Sequence, residues 1–368
     1  MGQDKTDKKT FAREQAPIRA VLMVSERTVY EYTVFMQRLL VGLSDASVPC
    51  TVICPSSCYM DVIVPPGVEI IRYPFYEFPL MWGKNRAQLI EKLTDFKPTL
   101  LHSLCESRAL FTRQISRRMD LPYIITVNSL QRSRWKVSIS PGRCAAITVP
   151  SESIKNNLQA LFPGYAERIR QINIGTFIEK KTHLPFKADR IPSMVTAFPL
   201  KKVGDFEKLF GAIRHLVIDG YEFMFVLSSE GRAERELRKL LNGLGLLQYV
   251  IIVPRSLAWH SILSAGDIYI EPMPSKSFDP LLLQAMSVGC AVVGCSGGGN
   301  ELIMDGQTGF IIEPEDELSI YNCLQKLFDT PELTREIAKN ARQFIRENHQ
   351  VNKMVSGYIK TYQEAGNW

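Results

Sequence analysis

Short apolar runs rich in β-branched residues alternate with amphipathic segments along most of the chain. This alternation is typical of a parallel sheet that is covered by helices on both faces. The apolar runs predict strands at residues 19–24, 50–54, 69–73, 99–102, 123–127, 145–149, 194–197, 221–227, 250–253, 268–270, 291–293 and 310–312. The amphipathic segments predict helices at residues 33–43, 86–96, 110–119, 205–219, 234–244 and 281–288, and a further helix that begins after Ser151 as its N-cap.

The length of the chain, 368 residues, exceeds the size at which a single hydrophobic core stops growing, so two domains are expected. A polar tail at 1–16 is expected to be disordered, and a first α/β domain is predicted at 17–180. A linker with two prolines is predicted at 181–192 and a second α/β domain at 193–345. The last segment, 346–368, is predicted to be a helix that packs back on the first domain.

The composition of the chain argues against a membrane-spanning protein and against a zinc site. No stretch approaches the roughly 18 uninterrupted apolar residues of a membrane span, and the polar first sixteen residues lack the apolar core of a signal peptide. The eight cysteines are read as small buried residues of a reducing, cytoplasmic compartment. Cys50, Cys54 and Cys58 lack the paired spacing of a zinc site, so no metal is predicted.

The net charge of +6 favours anionic substrates, with peripheral contact at the inner face of a membrane as an open alternative. It does not demand nucleic acid.

The stretch 271–314 carries the clearest functional pattern. A strand is followed by a polar loop and an apolar helix, and then a second buried strand leads into Gly297, Gly298 and Gly299. Ligands collect outside the carboxyl ends of parallel strands, and glycines there let backbone amides approach an anion. A glycine run alone also fits a turn that binds nothing.

The order of the motifs in this stretch resembles the donor-binding end of family 4 glycosyltransferases. The matching positions are Pro274, Ser275, Phe278, Ala285, Met286, Gly289, Val292, Val293, Gly297, Gly298, Glu301, Asp305, Gly306, Thr308 and Gly309. The resemblance implies the GT-B fold, which is two Rossmann-like, doubly wound parallel-sheet domains that face a ligand-binding cleft.

Two family glutamates that lie eight positions apart are replaced in this chain. Lys276 stands where the family has a glutamate beside the transferred sugar, and Gln284 stands where a glutamate holds the ribose hydroxyls. Glutamine can still bond a diol, although more weakly than a carboxylate. Lys276 reverses the charge, which would suit a donor that carries negative charge.

The resemblance also assigns the remaining site residues. Lys202, with Lys201 beside it, is the cation left where the family uses arginine and lysine on the diphosphate. Asn128 replaces a histidine placed near the sugar, while His102 is interpreted as structural. Lys202, Lys276 and Asn128 are therefore the candidate catalytic residues. The candidate donor-binding residues are Lys201, Glu230, Gly231, Ser277, Phe278, Gln284, Gly297, Gly298 and Glu301.

The reaction implied by the resemblance is the transfer of a hexose-type sugar from a UDP- or GDP-linked donor to a glycan, lipid or other small acceptor, with retention and without a cofactor. The leaving diphosphate would be stabilised by cations and helix amides. The loss of several family residues leaves a second hypothesis open. It is a catalytically degenerate GT-B protein that serves as a binding or partner subunit of a glycosylation system.

Overall fold

The computed structural model describes residues 17–58, 60–61, 63–75, 82–178, 185–187, 190–228, 231–253, 259–295 and 301–367. These residues form two parallel sheets, each covered by helices. The predicted tail 1–16 and half of the predicted linker 181–192 lie outside the described residues.

The first half of the chain forms a seven-stranded parallel sheet. Its strands are β1 (Ala20–Met23), β2 (Cys50–Pro55), β3 (Glu69–Tyr73), β4 (Leu100–Ser103), β5 (Tyr123–Thr126), β6 (Cys144–Val149) and β7 (Ile169–Gln171). Their spatial order is β3-β2-β1-β4-β5-β6-β7. The accompanying helices are α1 (Glu26–Glu31), α2 (Thr33–Asp45), α3 (Trp82–Phe96), α4 (Ala109–Met119) and α5 (Glu152–Leu161).

The second half forms a six-stranded parallel sheet. Its strands are β8 (Ser193–Thr196), β9 (Met224–Ser228), β10 (Val250–Val253), β11 (Ile268–Ile270), β12 (Ala291–Cys295) and β13 (Phe310–Ile312), in the order β10-β9-β8-β11-β12-β13. Its helices are α6 (Gly204–Ile218), α7 (Glu234–Gly243), α8 (Trp259–Ala265), α9 (Pro280–Val288) and α10 (Glu317–Asp329). The central strands are buried on both faces, which explains why they read as continuous apolar runs.

Two long helices complete the chain, α11 (Pro331–Asn348) and α12 (Val351–Gly366). Helix α12 packs on the first domain against α2, β4 and β6. Its Tyr362 hydroxyl lies 2.8 Å from Nδ1 of His102 on β4. Gly175 permits the close approach at the start of α12, because a Cβ there would lie 2.5 Å from Cα of Val351.

The predicted α/β class with two parallel sheets is confirmed. The bounds of β3, β10, β11 and β13 are those predicted. Strands β10, β11 and β13 are uninterrupted apolar runs, whereas β3 includes the charged residues Glu69 and Arg72. The sequence analysis did not predict the short elements β7, α1 and α8, and it did not predict the longer helices α10 and α11. In the described part of the chain, no helix combines the length and apolarity needed to cross a bilayer.

Candidate functional site

Loops at the carboxyl ends of strands from both sheets meet between the two domains. The loops after β1, β4 and β5 line a cavity of about 970 Å³, which we call the main cavity. Its described lining residues are Ser25, Glu26, Arg27, Thr28, Tyr30, Glu31, Tyr32, Cys105, Glu106, Ser107, Arg108, Asn128 and Ser277. All but Ser277 come from the first domain, and Ser277 comes from the loop after β11. The main cavity therefore lies where an open parallel sheet collects ligands.

Helix α1 occupies the segment where the resembled family has paired glycines. Ser25 caps it, since its Oγ accepts a hydrogen bond from the Thr28 amide at 3.2 Å. On the first turn, Arg27 pairs with Glu31 at 2.5 Å and donates to Oγ of Ser277 at 3.2 Å. A charged side chain thus reaches the second domain from a position where the family brings backbone close to phosphates.

A short antiparallel pairing joins the domains inside the cleft, and we call it the interdomain bridge. Ser129 pairs with Ser277. The Phe278 amide donates to the Asn128 carbonyl at 2.9 Å, and the Leu130 amide donates to the Lys276 carbonyl at 2.8 Å. The bridge therefore brings together Asn128, Lys276, Ser277 and Phe278, four of the residues that the resemblance assigned to the site.

The side chains at the bridge differ in their exposure. Asn128 is buried, and its side-chain amide donates to the Leu104 carbonyl at 2.9 Å. Lys276 is exposed, whereas Phe278 is buried and its carbonyl accepts from the Tyr32 hydroxyl at 2.7 Å. The backbone of this loop is therefore held by first-domain groups on both sides of the pairing.

The next residue of the loop, Asp279, caps helix α9. Its Oδ1 accepts from the Leu281 amide at 2.8 Å, and the Tyr269 hydroxyl lies 3.3 Å from Oδ2. Burial raises the pKa of the Asp279 carboxyl to about 6, and the negative charge of Glu31 contributes in the same direction. An Asp-Pro pair at a helix start is a recognisable capping signal, which the sequence reading passed over.

Gln284 lies on α9 with only 3% of its surface exposed. Its Oε1 has no hydrogen-bond partner among the described residues. A buried acceptor without a partner costs roughly 1–3 kcal/mol, so a ligand hydroxyl that donates to it would recover that free energy. This atom belongs to the residue that the resemblance places on the ribose.

The predicted phosphate-binding cations lie on a separate loop. Lys201 and Lys202 are exposed and connect β8 to α6. Gly231 abuts this loop, because a Cβ at Gly231 would lie 1.8 Å from the Leu200 carbonyl oxygen. The structure therefore places Gly231 next to the loop of Lys201 and Lys202. This loop is distinct from the interdomain bridge.

A smaller cavity lies between these two groups of residues. It measures about 80 Å³, and it is lined by Glu31, Ala197, Phe198, Pro199, Glu271, Ser275, Ser277, Phe278, Asp279, Pro280 and Leu281. Sites for small molecules typically enclose about 300 Å³ or more. This space among the described residues is therefore smaller than a nucleotide sugar.

Glu301 forms a second contact between the domains. Its Oε2 accepts from the Glu152 amide at 3.1 Å, and Oε1 accepts from the Ser153 amide and hydroxyl. These amides belong to the first turn of α5, where a carboxylate is favoured by the helix dipole. Ser151 is the N-cap residue as predicted, but its side chain does not make the capping bond, because Glu301 accepts from the first-turn amides.

Replacing Glu301 with alanine is expected to expose the first turn of α5. Removing a carboxylate from a helix N-terminus costs about 1 kcal/mol, so amide hydrogen exchange at Glu152 and Ser153 should become about fivefold faster. Exchange measured residue by residue tests this. Glu315→Ala, which removes an exposed glutamate from the second domain, is the matched control. Unchanged exchange in Glu301→Ala would contradict the contact.

Three predicted site residues, Glu230, Gly297 and Gly298, lie outside the described residues. The sequence analysis did not predict Arg27 and Tyr32, which contact the loop 276–279, or Asp279, which ends that loop and caps α9. The spacing of four residues between Arg27 and Glu31 is typical of a helical ion pair and could have indicated Arg27. Within the described ranges, no group of three or more His, Cys, Asp or Glu side chains is arranged to hold a metal ion.

Two facing parallel-sheet domains with strand ends meeting in a cleft define the GT-B class of glycosyltransferases. The model of Glycosyltransferase Family 4 matches residues 33–179, and the model of Glycosyl transferases group 1 matches residues 194–330. The chain belongs to the glycosyltransferases that these two models describe.

Similar proteins agree with this assignment. Sulfoquinovosyl transferase SQD2 of Arabidopsis thaliana is 22% identical over 306 residues, which are 75% of this chain and 59% of that protein. The alpha-D-kanosaminyltransferase of Streptomyces kanamyceticus is 26% identical over 160 residues, 42% of this chain and 41% of the relative. The chain thus matches less than two thirds of the length of these relatives.

Among solved structures, Anabaena HepE in complex with UDP-glucose superimposes with a TM-score of 0.78. It is 14% identical, and the superposition covers 94% of this chain and 100% of the other. At this identity the likeness shows the fold.

Proposed function

We propose that this chain transfers a sugar from a UDP- or GDP-linked donor to a glycan or lipid-linked acceptor, with retention at the anomeric carbon. The observation that carries the proposal is that Oε1 of Gln284, on α9, is buried and has no hydrogen-bond partner among the described residues. The resemblance implies that a ribose hydroxyl of the nucleotide sugar lies at this position, where it would donate a hydrogen bond to Oε1. The UDP-glucose complex of a protein with this fold supports a nucleotide sugar as the ligand.

In the proposed reaction, the bond between the anomeric carbon and the diphosphate oxygen breaks, and a bond to the acceptor oxygen forms. The leaving phosphate takes the acceptor proton, so no protein general base is required. The residues of the chain have two tasks in this reaction. Lys202, with Lys201, offsets the developing charge on the diphosphate, and Asn128 and Lys276 lie at the bridge beside the transferred sugar.

Donor entry requires the cleft to open. The small cavity of about 80 Å³ is smaller than a nucleotide sugar, and the bridge beside it is held by the hydrogen bonds from Phe278 to Asn128 and from Leu130 to Lys276. Separation of the bridge would free the Phe278 amide and the Lys276 carbonyl in the loop after β11. Such domain opening and closure around a ligand is a common motion of two-domain enzymes.

Lys276 suggests a donor sugar with negative charge. The relative from Arabidopsis is named for a sulfoquinovosyl group, whose sulfo substituent is anionic. An exposed ammonium group at position 276 would attract such a substituent, whereas a glutamate there would repel it. The nucleotide sugars tested for binding should therefore include one that carries an acidic group, in addition to neutral ones.

Donor binding tests the proposal directly. Calorimetry with UDP, GDP, their glucose, galactose and mannose conjugates and UDP-glucuronate is expected to identify one donor that binds and raises the melting temperature. Lys202→Ala should weaken that binding about tenfold or more, because a charge-assisted hydrogen bond to phosphate contributes roughly 1.5–3 kcal/mol.

Lys239→Ala is the matched control for Lys202→Ala, since Lys239 is an exposed lysine of the same domain on α7. It should leave donor affinity unchanged. If no nucleotide binds at millimolar concentration, the transferase proposal fails and the partner-subunit hypothesis replaces it. Equal weakening in both variants would show that Lys202 does not contact the diphosphate.

A further inference from the structure

The charge of the chain is concentrated in one segment. Residues 107–150 contain eight basic residues and one acidic residue, a net charge of +7, while the whole chain carries +6. The one acidic residue, Asp120, is paired with Arg143. The remaining three hundred or so residues are therefore close to neutral, and the positive field of the protein originates in this part of the first domain.

The structure places several of these basic residues on one outer surface, together with apolar groups. On helix α4, Leu110 is 57% exposed, and Arg113 and Arg117 follow it on the same face at helical spacing. The Arg113 guanidinium donates to Oγ of Ser138 at 3.3 Å, so the segment after β5 lies against α4.

That neighbouring segment contains a tryptophan that is 95% exposed, Trp135, in the short helical turn Arg134–Lys136. Arg132 and Arg134 beside it are also exposed. We call the surface formed by Leu110, Arg113, Arg117, Arg132, Arg134 and Trp135 the basic face. In the described part of the chain, none of its four arginines is paired with a carboxylate.

The basic face is connected to the main cavity through both of its segments. Helix α4 directly follows Cys105, Glu106, Ser107 and Arg108, which line that cavity. The segment that carries Trp135 begins after Asn128, another lining residue. Both segments of the basic face are therefore continuous in the chain with residues that line the main cavity on the first domain.

We propose that the basic face docks the protein on the surface of an anionic lipid bilayer. An anionic leaflet attracts clustered Arg side chains, and the aliphatic parts of those side chains can lie along the apolar boundary. Exposed tryptophan is the side chain that prefers the interface between head groups and acyl chains. Single-stranded nucleic acid is less favoured, because the face offers one exposed aromatic ring rather than a row of stacking platforms.

Vesicle sedimentation with the full-length chain tests the docking without any donor or acceptor. The protein should bind vesicles of phosphatidylcholine with about one third phosphatidylglycerol, and it should not bind vesicles of phosphatidylcholine alone. The double variant Arg113→Gln, Arg117→Gln should weaken binding about thirtyfold, given the contribution of each arginine near an anionic surface. Added salt should weaken binding of the unchanged protein.

A charge-matched control separates the basic face from overall charge. Arg235→Gln with Lys239→Gln removes two exposed cations of the second domain on α7. These changes should leave vesicle affinity within about twofold of the unchanged protein, since they lie outside the docking surface. Melting temperatures of all variants show whether each one is folded, and exposed substitutions of this kind are expected to change stability little.

Tryptophan fluorescence gives a second readout, which reports whether Trp135 enters the bilayer. Brominated lipids in the anionic vesicles should quench part of the emission of the unchanged protein. That quenching should disappear in Trp135→Phe, while binding falls only modestly.

The proposal is overturned if the protein fails to sediment with anionic vesicles. It is also overturned if both double variants lose the same affinity, or if quenching survives in Trp135→Phe. Tight binding to a single-stranded oligonucleotide that depends on Arg113 and Arg117, without vesicle binding, would assign the face to nucleic acid instead. None of these results depends on donor binding, so a failure here and a failure of the proposed transferase activity are distinguishable.

Discussion

Replacing Asp267 with alanine is expected to lower the free energy of unfolding by about 3–5 kcal/mol. Asp267 is fully buried and pairs with Arg190. Its Oδ1 accepts from the Phe186 amide at 2.9 Å, and its Oδ2 accepts from the Ser193 amide at 2.8 Å. Alanine would leave two buried amides without their acceptor, at roughly 1–3 kcal/mol each. It would also remove the carboxylate from Arg190, whose side chain is 28% exposed and still donates to the Ala265 carbonyl.

The location of Asp267 explains why the loss should affect the second domain. The residue precedes β11, and its partner Ser193 begins β8, the neighbouring strand. Phe186 and Arg190 belong to the segment that enters the domain. One carboxylate therefore joins the entering chain to the centre of the six-stranded sheet.

Urea unfolding followed by circular dichroism measures the effect of Asp267→Ala. Asp267→Asn keeps the shape and one acceptor oxygen, so its loss should be smaller. Asp45→Ala removes an exposed carboxylate at the end of α2 and should change the free energy of unfolding by less than about 0.5 kcal/mol. If Asp267→Ala lowers the free energy of unfolding by less than about 1 kcal/mol, the bonds of this carboxylate do not stabilise the second domain as expected.

The second large effect is expected at acid pH. Burial lowers the pKa of His102 to about 3, while an unfolded histidine has a pKa of about 6.5. The unfolded state therefore binds a proton first as the pH falls, and the folded state loses stability below pH 6.5 until about pH 3. At pH 4 this one group should have lowered the free energy of unfolding by about 3 kcal/mol relative to pH 7.

The physical cause is the enclosure of the imidazole. His102 is fully buried, and its two ring nitrogens lie 2.8 Å from the hydroxyls of Tyr362 and Thr126. A neutral ring donates from one nitrogen and accepts at the other, whereas the charged ring can only donate. Protonation would therefore require both hydroxyls to accept, and it would place a charge where the rings of Tyr358 and Tyr362 exclude water.

Free energies of unfolding at pH 7 and pH 4 test this in the unchanged protein and in His102→Gln. The variant keeps hydrogen-bonding groups but cannot titrate, so its stability should depend less on pH by about 3 kcal/mol over that interval. His349, whose pKa burial also lowers, remains in both proteins and contributes equally. The same pH dependence in both proteins would contradict the role assigned to His102.

Several features of the fold follow from the local sequence. The apolar runs that form β10, β11 and β13 consist mainly of β-branched residues, so their bounds could be read directly. Helix α1 could not be read in this way, because its six residues carry too little helical periodicity. Strand β7 is as short as β11 and β13, but only one of its three residues, Ile169, is apolar. Contacts with the rest of the domain stabilise both elements.

The candidate site was predictable in part. The order of motifs located the loop 274–279, helix α9 and Glu301. It did not indicate that the loop pairs with residues 128–130 or that Glu301 caps helix α5. These partners lie far apart in the sequence and in different domains, so no local pattern records their proximity.

The sequence by itself determined the alternation of strands and helices, the two-domain α/β class and the replacement of two family glutamates by Lys276 and Gln284. These properties depend on residue types and their local order. Only the tertiary structure decided which side chains meet in the cleft, that Gln284 Oε1 is buried without a partner among the described residues, and that Trp135 is exposed. Burial and contact depend on how distant segments pack, and packing is a property of the whole folded chain.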